Sequence, residues 1–509
     1  MKMWRTVPVA GVLLLAGAAP SPSAQSPSTP GIDLVTLPSA ETPLVSIKAM
    51  FRAGSILDPP GKEGLSALTA LMVGNAATAE RSYADLIETF YPMAAGISVI
   101  TDREVVVFSG QVHRETLGDF TALFEEALLQ PGFRDDDFAR NREQLLAFLT
   151  TTLRSANDEL LGLEMIQQVL FEGHPYGHAP AGTVAGLGSI TLADVRDFYR
   201  KHYTRANLIL AVAGGYASGY PAELQKAFSA LPQGSRERRP LPAPQPVKGR
   251  HFTLVDKQTE STGIHFGYPL PITRKHDDFY ALLVANSYLG EHRTFHGRLM
   301  QELRGRRGLN YGDYSYLEYW DNAPGTSTPP PNHPRRQQYF SVWIRPVVPA
   351  NGVFALRAAI SEVDRLIAQG LTQEEFDLTR DFLVSYSKLW ARSLSDRLGF
   401  HMDSRFYEMP YFIDHIEQQL KGMTLESVNQ AVRKYLQTGN FSSVMITGDA
   451  AALRDRLTSG APTPITYENP VAAEILRADK IIAALPINPA AVRILPIQDT
   501  FEGRPARPR

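Results

Sequence analysis

The sequence predicts an α+β protein of two homologous domains, each an antiparallel-rich mixed sheet covered by helices on one face. Three observations lead there. Alternating strand-like runs and long amphipathic helical runs follow one another along the chain. Residues 188–216, GSITLADVRDFYRKHYTRANLILAVAGGY, can be laid on residues 421–450, KGMTLESVNQAVRKYLQTGNFSSVMITGDA. A stiff proline-rich connector, RERRPLPAPQPVKGR (236–250), separates halves of similar length.

The internal match keeps one offset. Thr191 and Thr424, Leu192 and Leu425, Val195 and Val428, Asn207 and Asn440, and Gly215 and Gly448 are each 233 residues apart. The basic pairs Arg200–Lys201 and Arg433–Lys434 keep the same spacing. Each segment reads as a threonine-capped helix, a turn, and an apolar strand ending at glycine. A period this long indicates a duplicated domain, not a solenoid.

The elements follow in order. Lys2 and Arg5 precede an apolar stretch of 11 residues, Val9 to Ala19. That suits a signal-peptide core and falls short of the roughly 20 residues needed to span a bilayer. We read 1–24 as a signal peptide, 25–30 as a linker and the mature chain as exported, to the bacterial periplasm. Residues 31–235 form the first domain, 236–250 the connector, 251–470 the second domain and 471–509 a C-terminal extension. In the first domain VSIKAMFRAGS (45–55) alternates like a strand, and GISVITDREVVVFSGQV (96–112) reads as two strands about a turn at Thr101 to Arg103. TLGDFTALFEEALLQPGF (116–133) is an amphipathic helix stopped by Pro131-Gly132, and the acidic start DDD opens long helices after it. In the second domain STPPPNHPRRQQ (327–338) reads as a loop insertion before the strand YFSVWIRPVV. ALRAAISEVDRLIAQG and TQEEFDLTRDFLVSYSKLW are helices, the latter with a Thr–Glu capping signal. The tail RPARPR reads as a solvated end.

Composition removes several functions. Among 509 residues there is no cysteine, which excludes disulfides, thiol nucleophiles and cysteine metal sites. The net charge of −2 gives no support to nucleic acid or an anionic membrane surface as partner. No G-x-S-x-G elbow or P-loop occurs.

Three segments together resemble the pitrilysin/insulin-degrading-enzyme family of inverzincin metallopeptidases, in particular its two-domain, mitochondrial-processing-peptidase-like chains. VSIKAMFRAGSILDPPGKEGLSALTALMVGN (45–75) is similar to the family's opening strand and first helix. GHPYGHAPAGTVAGLGSITLADVRDFYRKHYTRANLILAVAGG (173–215) is similar to the close of its first domain. LRGRRGLNYGDYSY (303–316) is similar to its second-domain Arg…Tyr motif.

In that family the first helix carries H-x-x-E-H, two histidines one turn apart on Zn²⁺ and a glutamate as general base. Here the five positions hold Ala67, Leu68, Thr69, Ala70 and Leu71. The family's distal glutamate ligand falls near Ala147 or Phe148, with Glu143 one turn early. Alkyl side chains cannot ligate a metal. The resemblance therefore implies a zinc-less member with no catalytic residue and no cofactor of its own, the helix GLSALTALM (64–72) serving as core.

The Arg…Tyr motif is kept. The resemblance assigns Arg304 and Tyr311 to the substrate backbone and to the oxyanion on the scissile carbonyl. Arg306 and Arg307 leave the choice of arginine open, and all three read equally as a solvated helix terminus. The histidine pairs His292/His296 and His174/His178 have metal-like spacing but lack a carboxylate at a sensible position or, in the second pair, a continuous helix.

The resemblance implies a subunit of an exported heterodimeric zinc metallopeptidase. A zinc-bearing sister chain with H-x-x-E-H would act on an unfolded peptide added to a sheet edge near Ala94 to Ser98. Two other readings stand beside it: a non-enzymatic homodimeric scaffold or peptide-binding protein, like the core-like subunits of respiratory complexes, and a peptidase with relocated ligands at His292 and His296.

Overall fold

Two mixed sheets carry the fold in this computed structural model. It describes residues 31–237, 239–321, 325–467 and 470–503, and from Ile32 onward they form one unit. The expected signal peptide, the expected 25–30 linker and the RPARPR tail lie outside the described residues.

The first sheet contains β1 (Asp33–Pro38), β2 (Leu44–Phe51), β3 (Ser98–Thr101), β4 (Val106–His113) and β5 (Leu208–Gly214), in the order β1-β5-β2-β4-β3. Only β1 and β5 run parallel. The second contains β6 (Arg250–Asp256), β7 (Thr262–Leu270), β8 (Asp313–Tyr316), β9 (Gln338–Val347), β10 (Phe441–Thr447) and β11 (Pro489–Pro496), in the order β11-β6-β10-β7-β9-β8. Without β11 the second order repeats the first strand for strand, and β6 is parallel to β10 as β1 is to β5.

The sequence repeat lies where the offset placed it. Helices Leu192–His202 and Leu425–Tyr435 each begin after a threonine, Thr191 or Thr424, that closes a capping box. Strands β5 and β10 follow at the same offset. The expected α+β pair of related halves is the fold that forms.

Central strands β2 and β5 are buried on both faces, which their apolar sequences LVSIKAMF and LILAVAG allow. One face packs on the helices of its own half. The other receives a helix from the opposite half. Helix Asp158–Leu170 lies on β7 and β10, and helix Leu394–Tyr407 lies on β1, β2 and β5. Leu398, Met402 and Phe406 of the latter pack on Met50, Ile209 and Ala211. Each half thus completes the core of the other.

Gly162 marks one close approach. A Cβ there would come within 2.4 Å of the His265 ring on β7. That ring is stacked on Trp343 at 5.8 Å and 12°. Gly162→Ala must displace the ring, and we expect a loss of about 1–3 kcal/mol from overpacking, read from the urea midpoint. Burial holds the His265 pKa down at about 3. The unfolded chain, titrating near 6.5, binds the extra proton between those values, so this group makes stability fall as pH drops below about 6.5. His265→Phe should flatten that limb of the pH–stability curve.

The proline-rich segment 327–338 precedes β9 as expected but is not a peripheral loop. Asn332 and Arg335 are 1% exposed. Arg335 pairs with Asp102 of the β3–β4 turn, Nε to Oδ2 at 2.8 Å and Nη2 to Oδ1 at 2.6 Å. Arg336 pairs with Glu104 at 2.9 Å, and Lys48 on β2 donates to Asn332 Oδ1 at 2.8 Å. The seam between the halves is therefore charged, buried and matched.

The C-terminal residues also join both halves. β11 pairs parallel to β6, and helix Ala473–Ala483 lies on helix Gly352–Gln369. Val184 N–H donates to the Phe501 carbonyl at 2.9 Å, and Arg154 donates to Glu502 at 2.6 Å. Among the described residues no helix is long and apolar enough to cross a membrane.

Candidate functional site

The helix at the degenerate motif positions spans Leu65–Gly74. Its N-terminus is capped from a distance: the Asp58 carboxylate accepts from Gly64 N at 2.8 Å and Ser66 N at 2.7 Å. His178 Nε2 lies 3.1 Å from the same carboxylate, so this histidine of GHPYGH orients a helix cap. Burial, opposed by His178 and by these bonds, raises the Asp58 pKa. His174 instead sits 2.9 Å from the Pro242 carbonyl, so the two histidines do not converge.

Ala67 is 4% exposed and Ala70 fully buried, within a core cluster that also takes Leu68, Met72 and Val73. Leu71 is half-buried against the same cluster. Ala147 ends helix Asp135–Ala147, and Phe148 opens a π-helical turn, Phe148–Ala156. Glu143 is exposed on that helix. Alkyl groups and a phenyl ring stand at every ligand position, so these residues do not fit zinc. Among the described residues no group of three or more His, Asp or Glu side chains is arranged to hold a metal ion.

His292 and His296 part company. His292 is 1% exposed, with Nδ1 2.7 Å from the Tyr316 hydroxyl, whereas His296 is exposed. Burial, and then the nearby charge of Arg293, lowers the His292 pKa to about 3, so the ring is neutral and packs in an aromatic cluster with Tyr314 and Trp320.

The Arg…Tyr segment folds back on itself. A π-helical turn, Met300–Gly305, is followed by Gly308 with φ 63°, and Leu309 N–H returns to the Leu303 carbonyl at 3.1 Å. That positive φ is a glycine conformation. Asn310 pins the following turn through Asp313 Oδ1 at 2.7 Å and the Arg345 carbonyl at 2.9 Å. Tyr311 consequently stands beside Arg304, with the guanidinium carbon 5.7 Å from its ring centroid. On the other side Phe295 lies 5.0 Å away. Tyr311 is 77% exposed and Phe295 67% exposed, so a cation sits between two solvent-facing rings.

The three arginines separate by environment. Arg307 is buried and bonded to Asp479 at 2.8 Å and to Glu302 at 3.1 Å, a structural role. Arg306 is exposed, 3.6 Å from Glu302. Arg304 is half-buried and makes no ion pair among the described residues. Asp313, at the start of β8, is pushed up to about 8 by burial, against the Asn310 hydrogen bond and the charges of Arg345 and Arg304.

Sequence reasoning missed Phe295, which lies within HRTFH where the histidines drew attention. It also missed Arg345, whose Nε bonds Glu159 of the first half at 2.7 Å and so ties this region across the seam. Spacing could not expose either contact: Glu159 is 186 residues from Arg345, and Phe295 meets Arg304 only through the way the segment between them folds.

β3 is the terminal strand of the first sheet and pairs only with β4. It packs against helix Leu65–Gly74, where a Cβ on Gly74 would come 2.4 Å from Val99. Ala94 to Ile97 lead into it and Ser98 begins it.

Comparison with known proteins fits this geometry. Residues 34–183 match the family model described as Insulinase (Peptidase family M16), and residues 189–383 match the Peptidase M16 inactive domain. The non-peptidase homolog YmxG of Helicobacter pylori is 23% identical over 407 residues, covering 80% of this chain and 89% of the relative. The crystal structure of a peptidase M16 inactive domain from Pseudomonas fluorescens superposes with a TM-score of 0.72 at 23% identity, covering 87% of this chain and 98% of that one. The first half of the periplasmic protease PqqL from Escherichia coli superposes at 0.65 with 17% identity, covering 90% and 95%. Matched almost without a gap from residue 34 to residue 383, the chain belongs to peptidase family M16, the insulinase family.

Proposed function

We propose that this chain is the non-catalytic subunit of an exported two-chain zinc metallopeptidase. One contrast carries the reading: the two histidine positions and the glutamate position of the zinc motif hold Ala67, Leu71 and Ala70, while half-buried Arg304 stands beside exposed Tyr311. The zinc, its water and the general base then belong to a sister chain bearing H-x-x-E-H. This chain supplies the guanidinium of Arg304 and the hydroxyl of Tyr311. Both donate to the peptide backbone and to the oxyanion that develops on the scissile carbonyl. An unfolded peptide adds to the free edge of β3, where backbone pairing gives affinity without much sequence demand. Export is supported by the leader read over 1–24 and by the likeness to a periplasmic protease.

The test is reconstitution. Purified with its H-x-x-E-H sister, the chain should form a stoichiometric complex that cleaves an unfolded reporter peptide, whereas the isolated chain shows no turnover. A homodimer indifferent to the sister chain supports the scaffold reading instead. Turnover by the isolated chain refutes both.

A further inference from the structure

The connector between the halves borders a cavity of about 340 Å³ that the peptidase reading does not use. That volume lies in the range of small-molecule sites, roughly 300–1,000 Å³. Four elements converge on it: the residues after β2, the connector, the segment after β7, and the end of helix Leu394–Tyr407.

Its charge is unbalanced. Arg52, Arg236, Arg239, Lys275 and Arg336 line it, against Glu104, Glu237 and Glu408. Two of the acids are already engaged, Glu104 by Arg336 at 2.9 Å and Glu408 by Arg236 at 3.1 Å. Arg239 gives one N–H to the Ile56 carbonyl at 2.8 Å, a bond that leaves its charge unmatched.

Arg52 is the telling residue. Its guanidinium carbon lies over the Phe406 ring, 4.5 Å from the centroid. Its side chain makes no hydrogen bond or ion pair among the described residues. Burial, and then the like charge of Arg236, lowers its pKa to about 10, against the opposing charges of Glu104, Glu408 and Asp33. A half-buried guanidinium without an ion pair of its own, in a cavity where the cations outnumber the carboxylates and Glu104 and Glu408 are paired with other arginines, is an arrangement that an anion relieves. Ile56 and Leu57 supply an apolar wall on the same cavity.

We infer that this cavity binds a small multivalent oxyanion, gripped by the Arg52 fork and ringed by Arg239 and Lys275. Because its walls come from both halves and the connector, the bound anion bridges the seam and stabilises the joined form. Phosphate-type and carboxylate-type anions share the required chemistry, and the experiment separates them.

The full chain is titrated by calorimetry with inorganic pyrophosphate and, separately, with citrate, at fixed ionic strength set by sodium chloride. Saturable 1:1 binding is expected for at least one of them, and whichever binds more tightly identifies the headgroup class. Arg52→Met should weaken that binding at least tenfold. Lys275→Met and Arg239→Met, both at exposed rim positions, should each weaken it about threefold and reduce its salt dependence. The thermal midpoint of the wild type should rise with pyrophosphate or citrate, and that of Arg52→Met should not. Absence of saturable binding by both anions at millimolar concentration overturns the inference. So does equal affinity in the folded Arg52→Met and Lys275→Met variants.

Discussion

Replacing Arg335 by methionine is expected to destabilise the protein by about 3–5 kcal/mol at pH 7, the range for breaking one side of a buried pair. Arg335 is 1% exposed and Asp102 is 2% exposed. The guanidinium gives two bonds to Asp102 and a third to Gln167 at 2.7 Å, and lies 3.9 Å from the Tyr319 ring centroid. Methionine fills much of the volume but takes away the bidentate counterion, leaving the carboxylate only the longer contacts of His333 at 3.8 Å and Arg103 at 3.9 Å. The pH dependence identifies the mechanism. Burial pushes the Asp102 carboxyl up, but the charge and hydrogen bonds of Arg335, with His333, outweigh it and hold the group well below the carboxylate range. A depressed folded pKa means the pair's contribution is complete above the unfolded value of about 3.9 and is lost as pH falls below it. In Arg335→Met the carboxyl is held down far less, so its penalty is largest at neutral pH and shrinks on acidification. Urea midpoints by tryptophan fluorescence at pH 7 and pH 4 measure both. Asp102→Leu combined with Arg335→Met should recover most of the loss, since removing both charges removes the unpaired one. A loss below about 1 kcal/mol at pH 7, the scale of a surface pair, contradicts this account.

That seam also marks how far the sequence can be read. The repeat was legible because its signals are local: a threonine cap, a basic last turn and an apolar strand recur at one offset, and each is set by neighbours within a few residues. The alkyl run at Ala67, Ala70 and Leu71 was legible for the same reason. The exchange of helices Asp158–Leu170 and Leu394–Tyr407 was not. Both look like ordinary amphipathic helices, and nothing in their periodicity says which sheet they cover. Segment 327–338 reads as an exposed loop by composition, because prolines and arginines are surface residues on average. Its burial depends on Asp102 and Glu104, more than two hundred residues away. β11 has a strand's sequence, but its parallel pairing with β6 is a property of the assembled sheet. In the candidate site, Arg304 and Tyr311 could be paired by spacing, whereas the choice among three arginines required their partners. Asp479 and Glu302 claim Arg307, and Phe295 and Tyr311 flank Arg304.

That separation makes the second large prediction interpretable. In the reconstituted complex, Arg304→Ala should lower kcat/KM about 10²–10³-fold, the cost of losing one preorganised oxyanion donor. The fold should barely notice. Exposed cation–π contacts are worth about 0.5–1 kcal/mol, and Arg304 makes no ion pair among the described residues. Arg304→Lys keeps the charge but loses the planar fork, so it should recover only part of the rate. Tyr311→Phe keeps the ring against the guanidinium and removes one donor, so its effect should fall on turnover with the midpoint unchanged. Arg307→Ala is the opposite case. It removes the counterion of buried Asp479, which keeps only the Tyr467 hydroxyl, while Glu302 keeps Arg298 at 2.8 Å; the urea midpoint should fall, and the fraction that remains folded turns over normally. Unchanged kcat/KM in Arg304→Ala, with the complex intact by size-exclusion chromatography, removes the substrate role from this residue without touching the assignment of the zinc site to the sister chain. Failure of the two wild-type chains to associate does the reverse: it removes the heterodimer while leaving the Arg304–Tyr311 surface to be explained by another ligand. The two outcomes are separable because stability, assembly and turnover are read from the same preparation.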